Sequence, residues 1–449
     1  MLETWRASGR EVAVVGLGKS GTAASLLLRD HGIAVYASDT GTGPRFDAWA
    51  ATLRAAGADV ELGGHDLARV GQAVAVVVAP GVPPDVPPLA AARAAGVPIY
   101  AEVDLGFTAL TRTRCVGITG TNGKTTTTAL IAHLLSAIGL RAETAGNIGR
   151  PLCDVARLAE PPAWLALELS SFQLHDAPHL KPDIAVITNL APNHLDRYHS
   201  LEEYYGDKAL IVANADERSV TITNADDPAV ESMTAGVPGR HLRFSIVSEA
   251  DAWYDRAGRR LMLGAEPVLD RSELNLLGDH NVANALTALL VASTLGGTGE
   301  RMAAGLRTFR SIPHRVEPVR EVNRVLWVND SKSTNVTSTE VAIAAQDRPF
   351  VLLLGGRHKG EPYSRLAPAL RDRCRAVIAY GEARPIIVHD LAGQVPLVEA
   401  TTFDEVLAKA RELAQPGDAV LLSPACSSYD MFLNYEERGE RFRAAVEAM

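Results

Sequence analysis

Lysine is scarce in this chain, since only seven of its 44 basic residues are lysines and the other 37 are arginines. The arginine guanidinium always stays charged, whereas the lysine amine is compact and can titrate and react. A chain that favours arginine should therefore keep lysine mainly where arginine cannot replace it. Four of the seven lie in glycine-rich or polar motifs and are candidates for chemistry: Lys124, Lys208, Lys332 and Lys359.

Cysteine pairs, long apolar runs and an excess of positive charge are also missing. The four cysteines lie far apart and form no Cys-x-x-Cys pair, which is typical of reduced thiols in the cytosol. No uncharged apolar run is long enough to span a bilayer, and the first ten residues hold no signal-peptide core. The net charge of −9 does not favour a nucleic acid or a membrane surface as partner. We therefore expect a cytoplasmic protein without either partner.

The length of 449 residues exceeds what one ordinary hydrophobic core supports, so two or three domains are expected. Buried strands alternate with helical segments from residue 11 onward, which predicts an α/β fold with parallel sheets. A Ser-Ile-Pro segment at 311–313 is a plausible linker. The simplest organisation has three α/β domains, at 1–103, 104–311 and 312–449.

The most informative stretch, GITGTNGKTTTT at 117–128, lies between an apolar run and a helix-like segment. A strand, a glycine-rich turn and a helix form a phosphate cradle, because backbone N–H groups at the helix start point at the anion. Lys124 is expected to reach the outer phosphates, and the Thr125 hydroxyl suits Mg²⁺. The strict pattern has glycine at the position of Ile118, so this loop is a variant in which Gly120 makes the close approach.

A second glycine-rich motif, GLGKSG at 16–21, separates a predicted strand from a predicted helix. Asp39 ends the next strand about twenty residues on, as in dinucleotide-binding folds. The glycines permit a diphosphate to approach the backbone, and the carboxylate can accept from a ribose or a base. NAD and a UDP-sugar both fit this pattern, and a simple tight turn remains the alternative.

Three further side chains are candidates near the phosphate loop. Glu168 closes an apolar strand, where a carboxylate suits Mg²⁺ or caps a helix. His194, in NLAPNHLDRY, is interpreted as a metal ligand or phosphate contact, the alternative being a solvated loop histidine. Lys208 lies beside apolar residues, which lower a lysine pKa, and a neutral amine can take up CO₂ to form a carbamate. An ordinary surface lysine is the alternative there.

The third segment carries polar loops at the ends of three predicted strands, at 329–335, 355–360 and 423–432. Each loop alone is more typical of a turn. Their coincidence in one domain favours a single rim that holds a ligand, because parallel strands present their carboxyl ends at one edge. Two other polar pairs, Asn281 with Asn284 and His314 with Arg315, stand at a helix start and after the linker.

Taken together, these motifs resemble those of the Mur ligase family, in the family's order and over essentially the whole chain. The resemblance rests on GITGTNGKTTTT, on LELSSFQL around Glu168, on the HNVAN helix start and on His314-Arg315. The segments NLAPNHLDRY, NDSKSTN, LLLGGRHKG and LLSPACSSYDMF are similar to the family branch that adds D-glutamate.

The resemblance implies a Rossmann-like N-terminal domain, a central P-loop ATPase-like domain and a Rossmann-like C-terminal domain. It also implies that ATP phosphorylates the alanine carboxylate of UDP-N-acetylmuramoyl-L-alanine and that the amine of D-glutamate attacks the acyl phosphate. Two Mg²⁺ ions, a carbamylated Lys208 and a monomeric enzyme of peptidoglycan precursor synthesis complete this expectation.

The resemblance assigns site residues by motif match. Catalytic roles fall to Lys124, His194 and Lys208, and the metal ligands would be Thr125, Glu168, His194 and Lys208. ATP contacts would be Gly120, Thr121, Asn122, Gly123, Lys124, Thr125, Thr126, Asn284, Arg315 and Asp330. The UDP substrate would meet Gly18, Lys19, Ser20, Asp39, Thr40 and Asn147. The D-glutamate pocket would contain Lys332, Thr334, Lys359, Ser428 and Phe432.

Three other functions stay open at this point. An NAD-linked oxidoreductase would explain the first glycine motif but leaves the Lys124 loop without a role. A folylpolyglutamate-forming relative would need no UDP site. A nucleotide-binding regulator would not require the cluster of Glu168, His194 and Lys208.

Overall fold

The structure is a computed structural model that describes residues 1–193, 198 and 200–449. The chain forms two compact units. The first unit combines Met1–Asp270 with Ala283–Leu306, and the second combines Arg271–Val282 with Arg307–Met449. Strands of the described residues form three sheets, two in the first unit and one in the second. The predicted α/β class is confirmed, whereas the three domain boundaries remain predictions.

The first sheet is parallel, with the order β3-β2-β1-β4-β5. Its strands are β1 Val12–Val15, β2 Val35–Asp39, β3 Asp59–Leu62, β4 Ala75–Val78 and β5 Ile99–Ala101. The accompanying helices are α1 Leu2–Ser8, α2 Lys19–Asp30, α3 Pro44–Ala55, α4 Leu67–Gln72, α5 Pro87–Ala94 and α6 Glu102–Ala109. Successive residues of β1 enter different hydrophobic clusters, Val12 and Val14 in one and Ala13 and Val15 in the other. Both faces of this sheet are therefore covered, as parallel sheets require.

The second sheet, of nine strands, has the order β14-β13-β12-β11-β10-β9-β6-β8-β7. Its strands are β6 Arg114–Thr119, β7 Ala142–Gly146, β8 Trp164–Glu168, β9 Ile184–Ile187, β10 Val220–Asn224, β11 Arg240–Ser245, β12 Ala252–Asp255, β13 Arg260–Leu263 and β14 Glu266–Asp270. The helices are α7 Lys124–Ala137, α8 Leu152–Ala156, α9 Ser171–His175, α10 Leu201–Ala209, α11 Pro228–Thr234, α12 Asp279–Thr294 and α13 Gly299–Thr308. Strand β6 pairs with both β8 and β9, so the phosphate loop emerges between their carboxyl ends.

The sheet of the second unit has the order β15-β16-β20-β17-β18-β19. Its strands are β15 Glu317–Val322, β16 Val325–Asn329, β17 Phe350–Gly355, β18 Cys374–Tyr380, β19 Leu397–Glu399 and β20 Ala419–Leu422. The helices are α14 Val336–Ala344, α15 Ala367–Leu370, α16 Arg384–Asp390, α17 Phe403–Leu413 and α18 Tyr435–Glu447. Parallel strands β16, β20 and β17 are neighbours, so the three polar loops predicted from sequence leave the same edge.

Two features of the fold differ from a purely parallel expectation. Strands β12, β13 and β14 form an antiparallel extension of the second sheet, and β15 pairs antiparallel with β16.

Over the described part of the chain, no helix combines the length and apolar character that crossing a bilayer demands.

Candidate active site

The phosphate loop connects β6 to α7, and its glycines occupy backbone conformations that other residues avoid. Gly120 has a φ of +138°, and a Cβ there would lie 2.1 Å from Thr188 Oγ1. Gly123, at φ +81°, directly precedes α7, and its added Cβ would lie 2.7 Å from Asn284 Oδ1. Glycine is thus required at both positions, since any side chain would be strained and would clash.

The rest of the loop is held by the segment after β9. Thr121 N–H donates to the Asn189 carbonyl over 2.8 Å, and Asn122 N–H donates to Asn189 Oδ1 over 2.9 Å. On the other side, Thr127 Oγ1 donates to Asn284 Oδ1 over 2.9 Å. Thr125 and Thr126 follow in the first turn of α7. These contacts fix the loop shape before any ligand arrives. Asn189 is the first residue of the NLAPNHLDRY motif, but the motif gave it no role of its own.

Two lysine amines meet at one carbonyl oxygen of this loop. Lys124 Nζ donates to the Gly120 carbonyl over 2.8 Å and to the Thr121 carbonyl over 2.9 Å. Lys208 Nζ, from α10, also donates to the Gly120 carbonyl, over 2.8 Å. Since Lys208 is only 1% exposed, burial and then the neighbouring Lys124 charge lower its pKa to about 6. Its amine also lies 4.6 Å from the ring centroid of Tyr204, another residue that sequence reasoning missed.

Glu168, the last residue of β8, stands beside the strand that leads into the loop. Its Oε1 accepts a hydrogen bond from Asn147 Nδ2 over 2.8 Å, and its carbonyl accepts from Asn147 N–H over 2.9 Å. Its Oε2 is buried without a hydrogen-bond partner among the described residues. A buried carboxylate oxygen in that state is costly unless something pairs with it.

His194 lies outside the described residues, so its predicted role remains a prediction. Among the residues that the structure describes, no three His, Cys, Asp or Glu side chains are grouped to hold a metal ion. Glu168 Oε2 is nevertheless a buried oxygen beside the phosphate loop that no described residue pairs.

A cavity of about 640 Å³ opens at the carboxyl ends of β1, β2 and β4 in the first unit. It is lined by all six residues predicted to meet the UDP substrate: Gly18, Lys19, Ser20, Asp39, Thr40 and Asn147. Asn147, one of the lining residues, also donates to Glu168 Oε1, so it contacts both the cavity and the carboxylate beside the phosphate loop. A ligand in this cavity would lie at the edge where parallel sheets bind nucleotides.

Asp39 stabilises the cavity wall. Its Oδ2 accepts from the Leu17 N–H over 2.6 Å, and its Oδ1 accepts from the Gly41 N–H over 2.7 Å. The carboxylate therefore joins the loops that follow β1 and β2. Whether it also meets a ligand remains a prediction.

An aromatic and basic part of the cavity wall was not predicted from sequence. It consists of Arg45, Phe46 and Trp49 from α3 and of His65. Arg45 lies 4.7 Å from the Trp49 ring centroid, and Phe46 packs edge-on against Trp49. Flat rings and a guanidinium are suited to a nucleobase. Their spacing of one helical turn was the only available sequence signal.

In the second unit, the segment before β15 is fixed in an unusual backbone conformation. His314 and Val316 have positive φ angles of +64° and +43°, which is rare for a β-branched residue. Asp330 Oδ1 accepts from the Val316 N–H over 3.1 Å, and its Oδ2 accepts from Ser423 Oγ over 2.7 Å. Burial raises the pKa of Asp330 to about 6. Arg315 lies between the two strained residues, and its Nε is buried without a partner among the described residues.

The predicted D-glutamate residues occupy two different environments of the second unit. Lys359 Nζ donates to Thr334 Oγ1 over 3.4 Å, which connects two of the polar loops. Lys332 Nζ lies 5.5 Å from the ring centroid of Tyr435, which the sequence did not single out. Ser428 is buried.

Phe432, by contrast, lies in a hydrophobic cluster of the second unit. Its ring packs edge-on against Phe403, 5.1 Å between centroids, and is 7% exposed. The aromatic ring that lies near the Lys332 amine is that of Tyr435.

Three protein-family models match successive parts of this chain. The family model described as Mur ligase MurD-like, N-terminal domain, matches residues 10–101. Those of the Mur ligase middle domain and of the Mur ligase glutamate ligase domain match 118–292 and 314–426. The UDP-N-acetylmuramoylalanine–D-glutamate ligase of Acidobacterium capsulatum is 40% identical over 447 residues, which is 98% of this chain and 96% of that protein. The chain belongs to the Mur ligase family.

Other Mur ligases agree with this assignment. The protein of the same name from Myxococcus xanthus is 39% identical over 98% of this chain and 99% of its own length. Among solved structures, UDP-N-acetylmuramate–alanine ligase of Thermotoga maritima is 20% identical, with a TM-score of 0.60 over 98% of this chain and 99% of that chain. The MurF ligase of Thermotoga maritima, in complex with ADP, reaches 0.61 at 18% identity, over 92% and 95%. At such identities the two structures support the fold alone.

Proposed function

We propose that this Mur ligase joins D-glutamate to UDP-N-acetylmuramoyl-L-alanine at the expense of ATP, in the cytoplasm. Relatives 36–40% identical over 97–98% of the chain carry the name UDP-N-acetylmuramoylalanine–D-glutamate ligase. The observation that carries the proposal is the convergence of Lys124 and Lys208 on the Gly120 carbonyl, beside a strand that ends in Glu168.

The proposed reaction solves a chemical problem, since a carboxylate is a poor electrophile. One oxygen of the alanine carboxylate attacks the γ-phosphorus of ATP, and ADP leaves. The amine of D-glutamate then adds to the carbonyl carbon of the acyl phosphate and loses a proton. Inorganic phosphate leaves with the electron pair of its C–O bond, and an amide remains. Both steps concentrate negative charge on phosphoryl oxygens, which cations can stabilise.

Lys124 is the proposed phosphate-binding cation. Its ammonium is held across the loop by the Gly120 and Thr121 carbonyls, so its position is fixed before ATP binds. The loop also begins α7, whose N-terminal end favours an anion. Preorganised charge of this kind stabilises a transition state without reorganisation cost.

A magnesium site is proposed at Glu168 and Thr125, with His194 and Lys208 serving a second ion. The unpartnered Glu168 Oε2 fits a hard cation, which prefers oxygen ligands. Bound Mg²⁺ would neutralise phosphate charge. Asn147 orients the Glu168 carboxylate through Oε1 and leaves Oε2 available.

Lys208 is proposed to work as a carbamate rather than as an ammonium. Two ammonium groups on one carbonyl would repel each other and any metal ion, and a buried site stabilises the neutral amine. The neutral amine adds to CO₂, forms an N–C bond and releases one proton. The product carries a carboxylate in place of a positive charge.

Phosphate release tests the proposal directly. Wild-type enzyme with ATP and UDP-N-acetylmuramoyl-L-alanine should release phosphate with D-glutamate, and far less with L-glutamate, L-lysine or L-alanine. Lys124→Ala should lower turnover at least ~100-fold, because a transition-state phosphate contact is lost. Binding of the UDP substrate should persist, since Lys124 does not line the cavity that contains Asn147.

Lys181→Ala is the matched control, because Lys181 is an exposed lysine of the same unit that pairs with Asp216. Its turnover should equal that of the wild type. Near-normal phosphate release by Lys124→Ala would contradict the assignment of residues 117–128 as a phosphate-binding loop. A preference for another amino acid would contradict the proposal that D-glutamate is the acceptor.

A further inference from the structure

The largest fully buried side chain of the second unit is an arginine that no motif assigned. Arg438 lies in the first turn of α18 and is 0% exposed. Guanidinium groups are rarely buried unless they are paired, because desolvation of a charge is expensive. Its surroundings should therefore explain why the second unit retains it.

Its guanidinium donates to all three strand-end loops of the rim. Nε donates to Ser331 Oγ over 2.9 Å, and Nη2 donates to the Ser331 carbonyl over 2.8 Å. Nη2 also donates to the Cys426 carbonyl over 3.1 Å, and Nη1 reaches the Gly355 carbonyl at 3.5 Å. Ser331 follows β16, Gly355 ends β17 and Cys426 follows β20. One planar group thus connects three neighbouring loops.

The packing around this group is tight. A Cβ on Gly356, which follows β17, would lie 3.2 Å from Arg438 Nη1. Ser331 Oγ in turn donates to the Tyr435 carbonyl over 2.8 Å, which ties the start of α18 to the same loop. The loops therefore have little freedom to shift relative to Arg438.

Among the described residues of the second unit, Arg438 has no carboxylate partner. Within the described part of the second unit, no carboxylate oxygen lies within 4.0 Å of it, and its acceptors are carbonyl and hydroxyl oxygens. Carbonyl dipoles stabilise the ion but do not cancel its charge. A positive charge in a poorly screened interior attracts anions at the nearby surface.

We infer that Arg438 is a positioning residue for the amino-acid acceptor, one that holds the Lys332, Lys359 and Ser428 loops in register and places a positive charge at the strand ends where they begin. This inference rests on the proposed function, because it takes the rim to be the site of D-glutamate. A ligand with two carboxylates suits a rim that carries two lysines on loops bound to a buried guanidinium.

Lysine cannot replace arginine here, although it keeps the charge. The guanidinium presents five donors in a fixed plane, and the network uses three of its nitrogens at once. An ammonium on a flexible stem can reach only part of this set. Arg438→Lys therefore separates loop positioning from charge.

Steady-state kinetics of the full-length enzyme test the inference. Arg438→Lys should raise the KM for D-glutamate ~10-fold or more, because charge-assisted hydrogen bonds that order the loops are lost. The KM values for ATP and for the UDP substrate should stay within about twofold of wild type. Arg411→Lys, at an exposed position of α17, is the matched control and should change none of the three.

Ser331→Ala is the second variant, in case Arg438→Lys does not fold. It removes the acceptor of Nε and the donor to the Tyr435 carbonyl but leaves the bonds of Nη1 and Nη2 in place, so a smaller rise in the KM for D-glutamate is expected. Equal rises in all three KM values, or a loss of kcat alone, would overturn the positioning role. An unchanged KM for D-glutamate in folded Ser331→Ala and Arg438→Lys would do the same. If wild type itself does not use D-glutamate, the proposed function fails instead, and the two failures are thereby distinguished.

Discussion

At the scale of the residue, the surroundings of Lys208 determine which chemistry its amine can perform. Lys208→Arg should be nearly inactive although it conserves charge, because a guanidinium cannot react with CO₂. The wild type should lose phosphate-release activity in CO₂-depleted buffer and regain it with bicarbonate. Lys409→Arg is the matched control, because Lys409 lies on a helix and pairs with Glu405. This variant should remain fully active. A fully active Lys208→Arg enzyme would show that activity does not require a carbamate and that Lys208 has a structural role only.

The same residue should also make stability depend on pH. The folded-state pKa of Lys208 is lowered to about 6, whereas an unfolded lysine titrates near pH ~10.4. Between these values the unfolded chain binds the additional proton, so the contribution of Lys208 to stability rises with pH. In CO₂-free buffer at pH 6.5, Lys208→Met should have a larger free energy of unfolding than wild type. The difference between the two proteins should be smaller at about pH 9. Urea unfolding at both values measures this, and a margin independent of pH would contradict it.

Individual site residues differ in how far the sequence could predict them. The six residues expected around UDP do line one cavity, because each lies at the carboxyl end of a parallel strand, in the turn after it or in the first turn of the next helix. Tyr435 could not be predicted, since it begins an acidic helix and its proximity to Lys332 depends on how α18 packs. Motif match assigns Phe432 to the D-glutamate pocket, and its ring lies in the hydrophobic cluster with Phe403, a packing that the motif does not reveal.

At the scale of the element, glycine has opposite effects in the phosphate loop and in α10. Gly120→Ala should lower stability by ~2 kcal/mol or more, because its φ of +138° excludes a side chain and its Cβ would meet Thr188 Oγ1. Gly206→Ala, whose Cβ would meet nothing within 4 Å, should raise stability by about 0.5–1 kcal/mol through helix propensity. Thermal unfolding of both variants gives the comparison, and destabilisation by Gly206→Ala would show that α10 is constrained in another way.

Strands with strong apolar runs were predictable as elements, whereas pairing direction was not. The apolar run at 164–168 coincides with β8, and the run at 419–422 coincides with β20. Strands β12 and β13 are short and partly charged, and the hairpin that joins them gives only a weak signal. Helix α7 begins at Lys124, inside the glycine-rich motif, because the threonine run continues the turn of the phosphate loop into the helix.

At the scale of the whole molecule, ligand binding should reveal which nucleotide the cavity accepts. A ligand that binds only the folded state at ~100 times its Kd adds about 2.7 kcal/mol to stability. UDP-N-acetylmuramoyl-L-alanine should therefore raise the Tm clearly, while NAD and folates should leave it unchanged. A rise with NAD and none with the UDP compound would favour the oxidoreductase instead.

The burial of all four cysteines has a practical consequence for measuring motion. Burial raises the pKa of the Cys115 and Cys374 thiols to about 12 and that of Cys426 to about 11, and it also raises the pKa of the Cys153 thiol well above its ordinary value. The thiolate is the form that attacks an alkylating reagent, so these native thiols are protected because they are buried and because they stay protonated. A pair of surface substitutions such as Glu217→Cys and Glu412→Cys, one in each unit, would accept fluorophores while every native cysteine is retained. Energy transfer between the two dyes could then follow the separation of the units during a catalytic cycle.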